Sequence, residues 1–215
     1  MNLDAGLSKG IEALALTIAP QNQQRLLQYL ALIVKWNQVH NLTAVREPEK
    51  MLTQHLLDSL AVVPHIAGPR IADVGSGAGL PGIPLALARP DWSVVLIESN
   101  HKKAAFLQQA RIELKLENIE IVTERVEHYR PAERFDTVIS RAFSDVAEFV
   151  TLAGHLCADA GPPRGLPSGR MAAMKGIYPH EELAQLPTQF TLEKVVAVAV
   201  PGLAAERHLV LVKRT

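Results

Sequence analysis

Asp73-Val-Gly-Ser-Gly-Ala-Gly-Leu-Pro-Gly82 is the stretch on which the reading of this chain turns. It follows a short apolar run, Ile71 to Val74, and leads into an apolar segment, Pro81 to Ala88, that Pro81 and Pro84 can start as a helix. A strand, a glycine-rich turn and a helix form a ligand-binding arrangement, because glycine lets the backbone turn tightly and lets a ligand approach where a Cβ would stand. A structural turn needs one or two such residues, and here Gly75, Gly77, Gly79 and Gly82 fall within eight positions. A phosphate-cradling P-loop is excluded, since no Lys-Ser/Thr pair follows the last glycine. The dinucleotide pattern G-x-G-x-x-G fails when counted from Gly75, where Leu80 takes the third glycine position, but holds when counted from Gly77 through Gly79 to Gly82. Spacing alone therefore leaves a dinucleotide ligand open.

Outward from this loop, short apolar runs alternate with helical ones. Ser93 to Glu98, Ile119 to Thr123, Phe135 to Ser140 and Arg170 to Met174 read as strands, and His101 to Leu116 and Asp145 to Ala158 as helices. That order predicts βαβ units and a parallel sheet covered on both faces. Two final runs, Thr191 to Val200 and Arg207 to Lys213, are joined by too short a link for a parallel crossover and are expected to pair antiparallel. Before Ile71 there is no strand pattern. Leu26, Leu30, Ile33 and Asn37 share one helical face with Leu27 and Val34 beside them, and a second helix is expected from Pro48 through Leu60. The expected architecture is α/β, mostly parallel with a C-terminal antiparallel hairpin. Residues 1–65 form an N-terminal helical extension and 66–215 the main domain, together one compact unit. The proline- and glycine-rich 161–169 segment reads as an exposed connection.

With 215 residues, 48% of them hydrophobic, the chain can bury a sizeable core. No apolar run approaches the roughly 18 residues of a membrane span. Ile11 to Ala19 contains Glu12 and lacks a charged leader with a cleavage site, so a cytoplasmic protein with no membrane partner is expected. The single cysteine, Cys157, lies in an apolar helical stretch and reads as a buried, inert thiol; nothing signals a metal site. Lys plus Arg (22) equals Asp plus Glu (22), so any contact with nucleic acid must come from a local patch.

Asp73-x-Gly75-x-Gly77-x-Gly79 resembles the first motif of the Rossmann-like S-adenosylmethionine-dependent methyltransferases, whose sheet has seven strands. The resemblance implies that the loop packs under the amino-acid part of the cofactor. It also implies that Glu98, closing Val94-Val-Leu-Ile-Glu98, binds the ribose hydroxyls, two acceptor oxygens suiting two donors. Further stretches resemble one bacterial family in the right order: the 16S rRNA guanine-N7 methyltransferases known as GidB or RsmG. They are Trp36 to Thr43, His55-Leu-Leu-Asp-Ser59, Leu116-Glu-Asn-Ile119, Arg125-Val-Glu127, Ile139-Ser-Arg-Ala-Phe143, Met174-Lys-Gly176 and Glu206-Arg-His-Leu209. Carried over residue by residue, the family's S-adenosyl-L-methionine contacts fall on Gly75, Leu80, Val126, Glu127 and Arg141, which join Gly77 of the glycine loop and Glu98 as the cofactor-binding candidates, with Arg141 also the catalytic candidate. Two departures stand out: glutamate at position 98, where aspartate is expected, and a 161–169 segment that looks longer than usual.

The implied chemistry needs little acid–base equipment. Guanine N7 carries an in-plane lone pair, so no proton is removed first and catalysis is by positioning. In keeping with that, Ser140-Arg-Ala-Phe143 stands where methyltransferases of exocyclic amines carry Asn/Asp-Pro-Pro-aromatic. Phe143 reads as core packing before it reads as a stacking surface for an extruded base. Arg46, Lys50, Lys102, Lys103, Arg125, Lys175 and Arg207 fall in predicted loops or helix ends near the mouth of the site, while Arg164 lies within the long connection and Arg170 directly follows it. The implied partner is 16S rRNA within the small ribosomal subunit or its precursor. No heptad seam demands a dimer, and a monomer is expected. Two other classes stay open: an NAD-dependent dehydrogenase, for which no hydride-transfer site is evident, and an RNA-binding assembly factor without catalysis.

Overall fold

The computed structural model describes residues 2–141, 143, 145–158 and 169–215; Arg164 and positions 161–168 of the long connection lie outside the described residues. Helices α1 (Leu3–Ala13) and α2 (Pro20–His40) open the chain. The segment expected as one helix from Pro48 is α3 (Pro48–Met51), a π-helical turn Leu52–Leu57 and α4 (Asp58–Leu60) in immediate succession. The alternating part follows as β1 (Arg70–Val74), α5 (Gly82–Ala88), β2 (Ser93–Ile97), α6 (His101–Glu113), β3 (Ile119–Val122), β4 (Thr137–Ser140), α7 (Val146–Ala153) and β5 (Arg170–Lys175). A short α8 (His180–Ala184) precedes the hairpin of β6 (Phe190–Ala197) and β7 (His208–Arg214).

The strands form one seven-stranded sheet in the order β3-β2-β1-β4-β5-β7-β6. Pairing is parallel from β3 through β5 and antiparallel where β7 meets β5 and β6, as the short final link requires. Two helical boundaries fall short of the sequence reading. The helix from His101 ends at Glu113, and the one near Asp145 ends at Ala153 and tightens into a 3-10 turn, Gly154–Leu156. Phe135, expected to open a strand, makes only an isolated bridge to Cys157, whose thiol is buried.

Alternation along the strands explains the two covered faces. Ile71, Val94, Leu96, Ile139, Ala172, Leu209 and Leu211 point into a core shared with α1, α2, α5 and α6, whereas Ala72, Val74, Val95, Ile97, Val138, Met171, Val210 and Val212 pack beneath α7. Each fully buried leucine, isoleucine or phenylalanine contributes about 1.5–3 kcal/mol. The predicted face of α2 is the buried one: Leu26, Leu30, Ile33 and Asn37 turn inward, with Tyr29 completing it. Leu7, Leu26, Leu56 and Leu60 share a core with Ile83 and Leu107, so the N-terminal helices and one sheet face exclude water from the same space.

Local polar groups fix the ends. Asn100 accepts from the N–H groups of Lys102 and Lys103 to start α6, and Asp145 accepts from Glu148 N–H to start α7. Asn118, inside the Leu116–Ile119 stretch, donates from Nδ2 to the carbonyls of Ala86 and Trp92, both at 3.0 Å, and ties the end of α5 to the start of β2. That stretch therefore serves the fold at the sheet end remote from the glycine loop.

Candidate active site

β1 has β2 on one side and β4 on the other, so the chain order reverses direction between β1 and β4 and opens a crevice at their carboxyl ends. Ser140 Oγ donates to Val74 O at 2.7 Å and holds the two strand ends together there. The glycine loop begins at once after β1, with Gly75, Gly77 and Gly79 all at positive φ. At Gly77 (φ 59°) a Cβ would meet only Gly75 O, at 3.8 Å, so the left-handed turn leaves open space above the loop. Gly82 is required for the opposite reason: a Cβ there would fall 2.2 Å from Leu96 Cδ2 and 2.8 Å from Asp73 Oδ2.

Two carboxylates brace the loop. Asp73, fully buried, accepts from Gly82 N–H at 2.8 Å through Oδ2, and its Oδ1 has no hydrogen-bond partner among the described residues. Burial pushes its carboxyl up to about 7, against the opposing influence of Gly82 N–H and Arg141. Glu98 accepts from Gly77 N–H through Oε2 and from Asn100 N–H through Oε1, both at 2.8 Å. Its oxygens retain further lone pairs for outside donors. Beside it lies a cavity of about 210 Å³ lined by Gly75, Ile97, Glu98, Val126, Glu127 and Phe143, among others.

Across the crevice a second cavity, about 330 Å³, is lined by Gln54, His55, Asp58, Arg141, Met174, Lys175, Gly176 and Arg207. Asp58 is its buried centre. Arg207 Nε donates to Oδ1 at 3.0 Å, Arg141 Nη1 lies 3.5 Å from Oδ2, and Arg141 Nη1 also donates to Gln54 O at 3.1 Å. Burial pushes the Asp58 carboxyl above its ordinary value while the two guanidiniums pull it down. Lys175 pairs with Glu182 at 2.8 Å. His55 shares a hydrogen bond of 2.8 Å between Nε2 and Thr43 Oγ1, and burial first and Arg141 second push it down to about 4, so the ring is neutral. The backbone brings His55 and Asp58 here because the π-helical turn inserts one extra residue per turn next to them, a deformation common at functional sites.

The structure thus gathers Gly75, Glu98, Val126 and Glu127 around one cavity and Arg141 at the other, with the glycine loop between β1 and α5. Gly77 adjoins the first through Glu98. Leu80 is not brought to it: its side chain is buried in the main core, and its N–H donates to Ser76 O. Phe143 is half-buried against Phe149, ring centroids 5.3 Å apart, and also faces the first cavity, so packing and lining coincide. Of the basic candidates, Lys175 and Arg207 line the second cavity; Lys50 pairs with Glu47, Arg125 with Glu127 and Arg170 with Glu193. Sequence reasoning missed Asp58 as the anchor of two arginines, although it stood in the His55 to Ser59 stretch, and missed Tyr29, whose hydroxyl donates to Ala78 O in the loop. Among the described residues no helix is long and apolar enough to cross a membrane.

Comparison with known proteins agrees with this geometry. The family described as GidB, rRNA small subunit methyltransferase G, matches residues 22–210. The chain is 67% identical over 214 residues to the ribosomal RNA small subunit methyltransferase G of Nitrosospira multiformis, covering 100% of this chain and 99% of that one. It is 54% identical over 215 residues to the protein of the same name from Nitrosomonas eutropha, covering 99% and 98%. Among solved structures, the O-methyltransferase TomG from Streptomyces achromogenes superposes with a TM-score of 0.56 at 20% identity, over 100% of this chain and 99% of that one. TYW2 from P. horikoshii superposes with a TM-score of 0.52 at 13% identity, over 73% and 60%. These likenesses establish a methyltransferase-type fold, and from the family match together with its full-length relatives it follows that the chain belongs to the GidB family, the rRNA small subunit methyltransferase G proteins.

Proposed function

We propose that this protein methylates N7 of one guanosine in 16S ribosomal RNA, with S-adenosyl-L-methionine as the methyl donor. The observation that carries the reading is the pair of cavities flanking the β1/β4 crevice, a carboxylate-lined one beside the glycine loop and a cation-lined one at Arg141. The residues present suit the cofactor. Glu98 offers acceptor oxygens at the lip of the first cavity for ribose hydroxyls, and the unpartnered Asp73 Oδ1 is a buried acceptor fit for an ammonium group. The space above Gly77 admits a chain that any side chain there would obstruct, and backbone groups at Val126 and Glu127 suit an adenine edge. When bound, the cofactor supplies an electrophilic methyl group on a sulfonium.

The chain's own task is alignment. No general base is required, since the N7 lone pair attacks directly. Arg141 is the catalytic candidate. Its guanidinium, held by Gln54 O and Asp58, faces the cavity where a guanine or the cofactor carboxylate would lie. Asp58 holds Arg141 and Arg207 in fixed orientation and is a positioning residue. His55, neutral beside them, adds no competing positive charge.

The target is read as 16S rRNA within the small ribosomal subunit or its precursor, which places the work in the cytoplasm, and the protein as a monomer. Helices of residues 1–65 and the sheet of 66–215 act as one unit, the former presenting the surface nearest a structured RNA. The test is transfer of radiolabelled methyl from S-adenosylmethionine to small subunits from a strain lacking the enzyme, with the product nucleoside identified by mass spectrometry. Label in 7-methylguanosine at one site is the expected result. Cofactor binding without label in any subunit preparation would overturn the methyl-transfer reading in favour of a binding factor.

A further inference from the structure

Immediately beyond the cation-lined cavity, the chain leaves β5 through Gly176-Ile177-Tyr178-Pro179 before α8 begins at His180. This turn exposes two large apolar side chains, Ile177 at 74% and Tyr178 at 38%, although Pro179 between Tyr178 and α8 is buried. The phenol ring is not loose. It lies 4.3 Å from the His180 ring at an interplanar angle of 37°, and it meets His208 of β7 edge-on at 5.6 Å and 80°. These two rings set its orientation and leave part of its surface to solvent.

The turn also adjoins the cations. Lys175 and Gly176 line the cavity with Arg141 and Arg207, and a Cβ built on Gly176 would lie 4.0 Å from Arg207 Nη1. His208, which braces Tyr178, is the cross-strand partner of Lys175 and the chain neighbour of Arg207. An oriented aromatic ring at the rim of a pocket with three cationic side chains is the arrangement by which proteins hold unpaired nucleotides, with ring faces stacking on bases while cations meet phosphates. A polypeptide partner would use the exposed Ile177 but has no comparable need of the adjoining positive charge.

We propose that Tyr178, steadied by His180 and His208, is a stacking platform for an unpaired nucleobase of the RNA substrate that neighbours the target guanine. Because the ring stands at the rim and not inside the cavity, the base it takes is a neighbour and not the methylated one. This inference rests on the methyl-transfer reading above and deepens it.

The test compares wild-type protein, Tyr178→Ala and Tyr178→Phe for binding to unmethylated small ribosomal subunits by filter retention, with thermal melting and S-adenosylhomocysteine affinity measured alongside. Stacking losses on alanine substitution correspond to roughly five- to a hundredfold in affinity. Tyr178→Ala is therefore expected to bind subunits at least fivefold more weakly, and Tyr178→Phe, which keeps the ring, within twofold of wild type, with melting and S-adenosylhomocysteine affinity unchanged in both. Ultraviolet irradiation of the wild-type complex should join the peptide bearing Tyr178 to a nucleotide. Unchanged binding by Tyr178→Ala, or a crosslink from that peptide to a ribosomal protein, would overturn the platform and leave the methyl-transfer reading standing. Failure of the wild-type protein to bind subunits would overturn both.

Discussion

Replacing Asp73 by asparagine separates the cost of burying a carboxylate from its use. The group ionises at about 7 in the folded chain against an ordinary 3.8. Between those values the folded chain keeps a proton that the unfolded chain has released, so this group's contribution to stability falls as pH rises and is lowest above about 7. From pH 5 to pH 8 just under two units of that difference are crossed, nearly all of them below pH 7, at about 1.4 kcal/mol each, a loss of about 3 kcal/mol from Asp73 alone. Asp73→Asn removes the titration but keeps an oxygen for Gly82 N–H. Its amide nitrogen then sits where Oδ1 has no protein partner, at a fixed cost of about 1–3 kcal/mol. Urea unfolding of both chains at pH 5 and pH 8 is the assay. The stability of Asp73→Asn relative to wild type should improve by about 3 kcal/mol between the two pH values, whatever its sign at pH 5. Cofactor affinity should move the other way. In wild type it rises as pH passes through 7 and the carboxylate forms, and in Asp73→Asn it is weak and flat. Parallel stability profiles for the two chains would refute the assignment of a raised, buried carboxyl to this position.

Arg141→Ala should abolish label transfer to subunits while leaving the far-ultraviolet spectrum of the wild type, since the guanidinium lies partly exposed in a cavity and outside the apolar core; wild-type turnover would remove it from the catalytic role. Glu98→Gln places an amide nitrogen against one of two backbone donors, Gly77 N–H or Asn100 N–H, which costs stability, and leaves one acceptor oxygen without charge for the ribose hydroxyls, so S-adenosylhomocysteine binding should weaken about tenfold or more by calorimetry, a hydrogen bond to a charged group being worth roughly 1.5–3 kcal/mol. Gly82→Ala drives a methyl into Leu96 and Asp73 and should lower unfolding free energy by about 1–3 kcal/mol. Gly77→Ala meets no side chain but must hold φ 59°, a backbone strain of about 1–2 kcal/mol, and its Cβ stands in the open space above the loop, so it should also lower cofactor affinity; unchanged S-adenosylhomocysteine affinity in Gly77→Ala would contradict the use assigned to that space.

The parts of this molecule legible in the sequence are those written in local periodicity. Alternating apolar runs announced the parallel strands, the short Val200 to Arg207 link announced the hairpin, and Glu98 could be placed because a strand end is a local fact. What escaped depends on residues far apart in the chain. Asp58 meets Arg141 and Arg207, respectively 83 and 149 positions away, and no spacing rule connects them. The π-helical turn Leu52–Leu57 carries the same apolar pattern as an α-helix, because a single widened turn changes which backbone groups pair without changing which residues are apolar. Leu80 is carried over from the resemblance of the glycine loop to a family motif, and only the tertiary packing shows its side chain turned into the core.

Tyr29 reaches from the middle of the second helix to a carbonyl inside the glycine loop, at Ala78. The loop is therefore not a free cradle attached to a sheet but is tethered to a helix outside the alternating fold. Anything that settles the loop also settles that helix, so amide exchange along residues 20–40 should slow when S-adenosylhomocysteine binds. A chain trimmed to residues 66–215 would lose this tether together with the apolar cover of Leu26, Leu30 and Leu56, and is expected to be recovered insoluble.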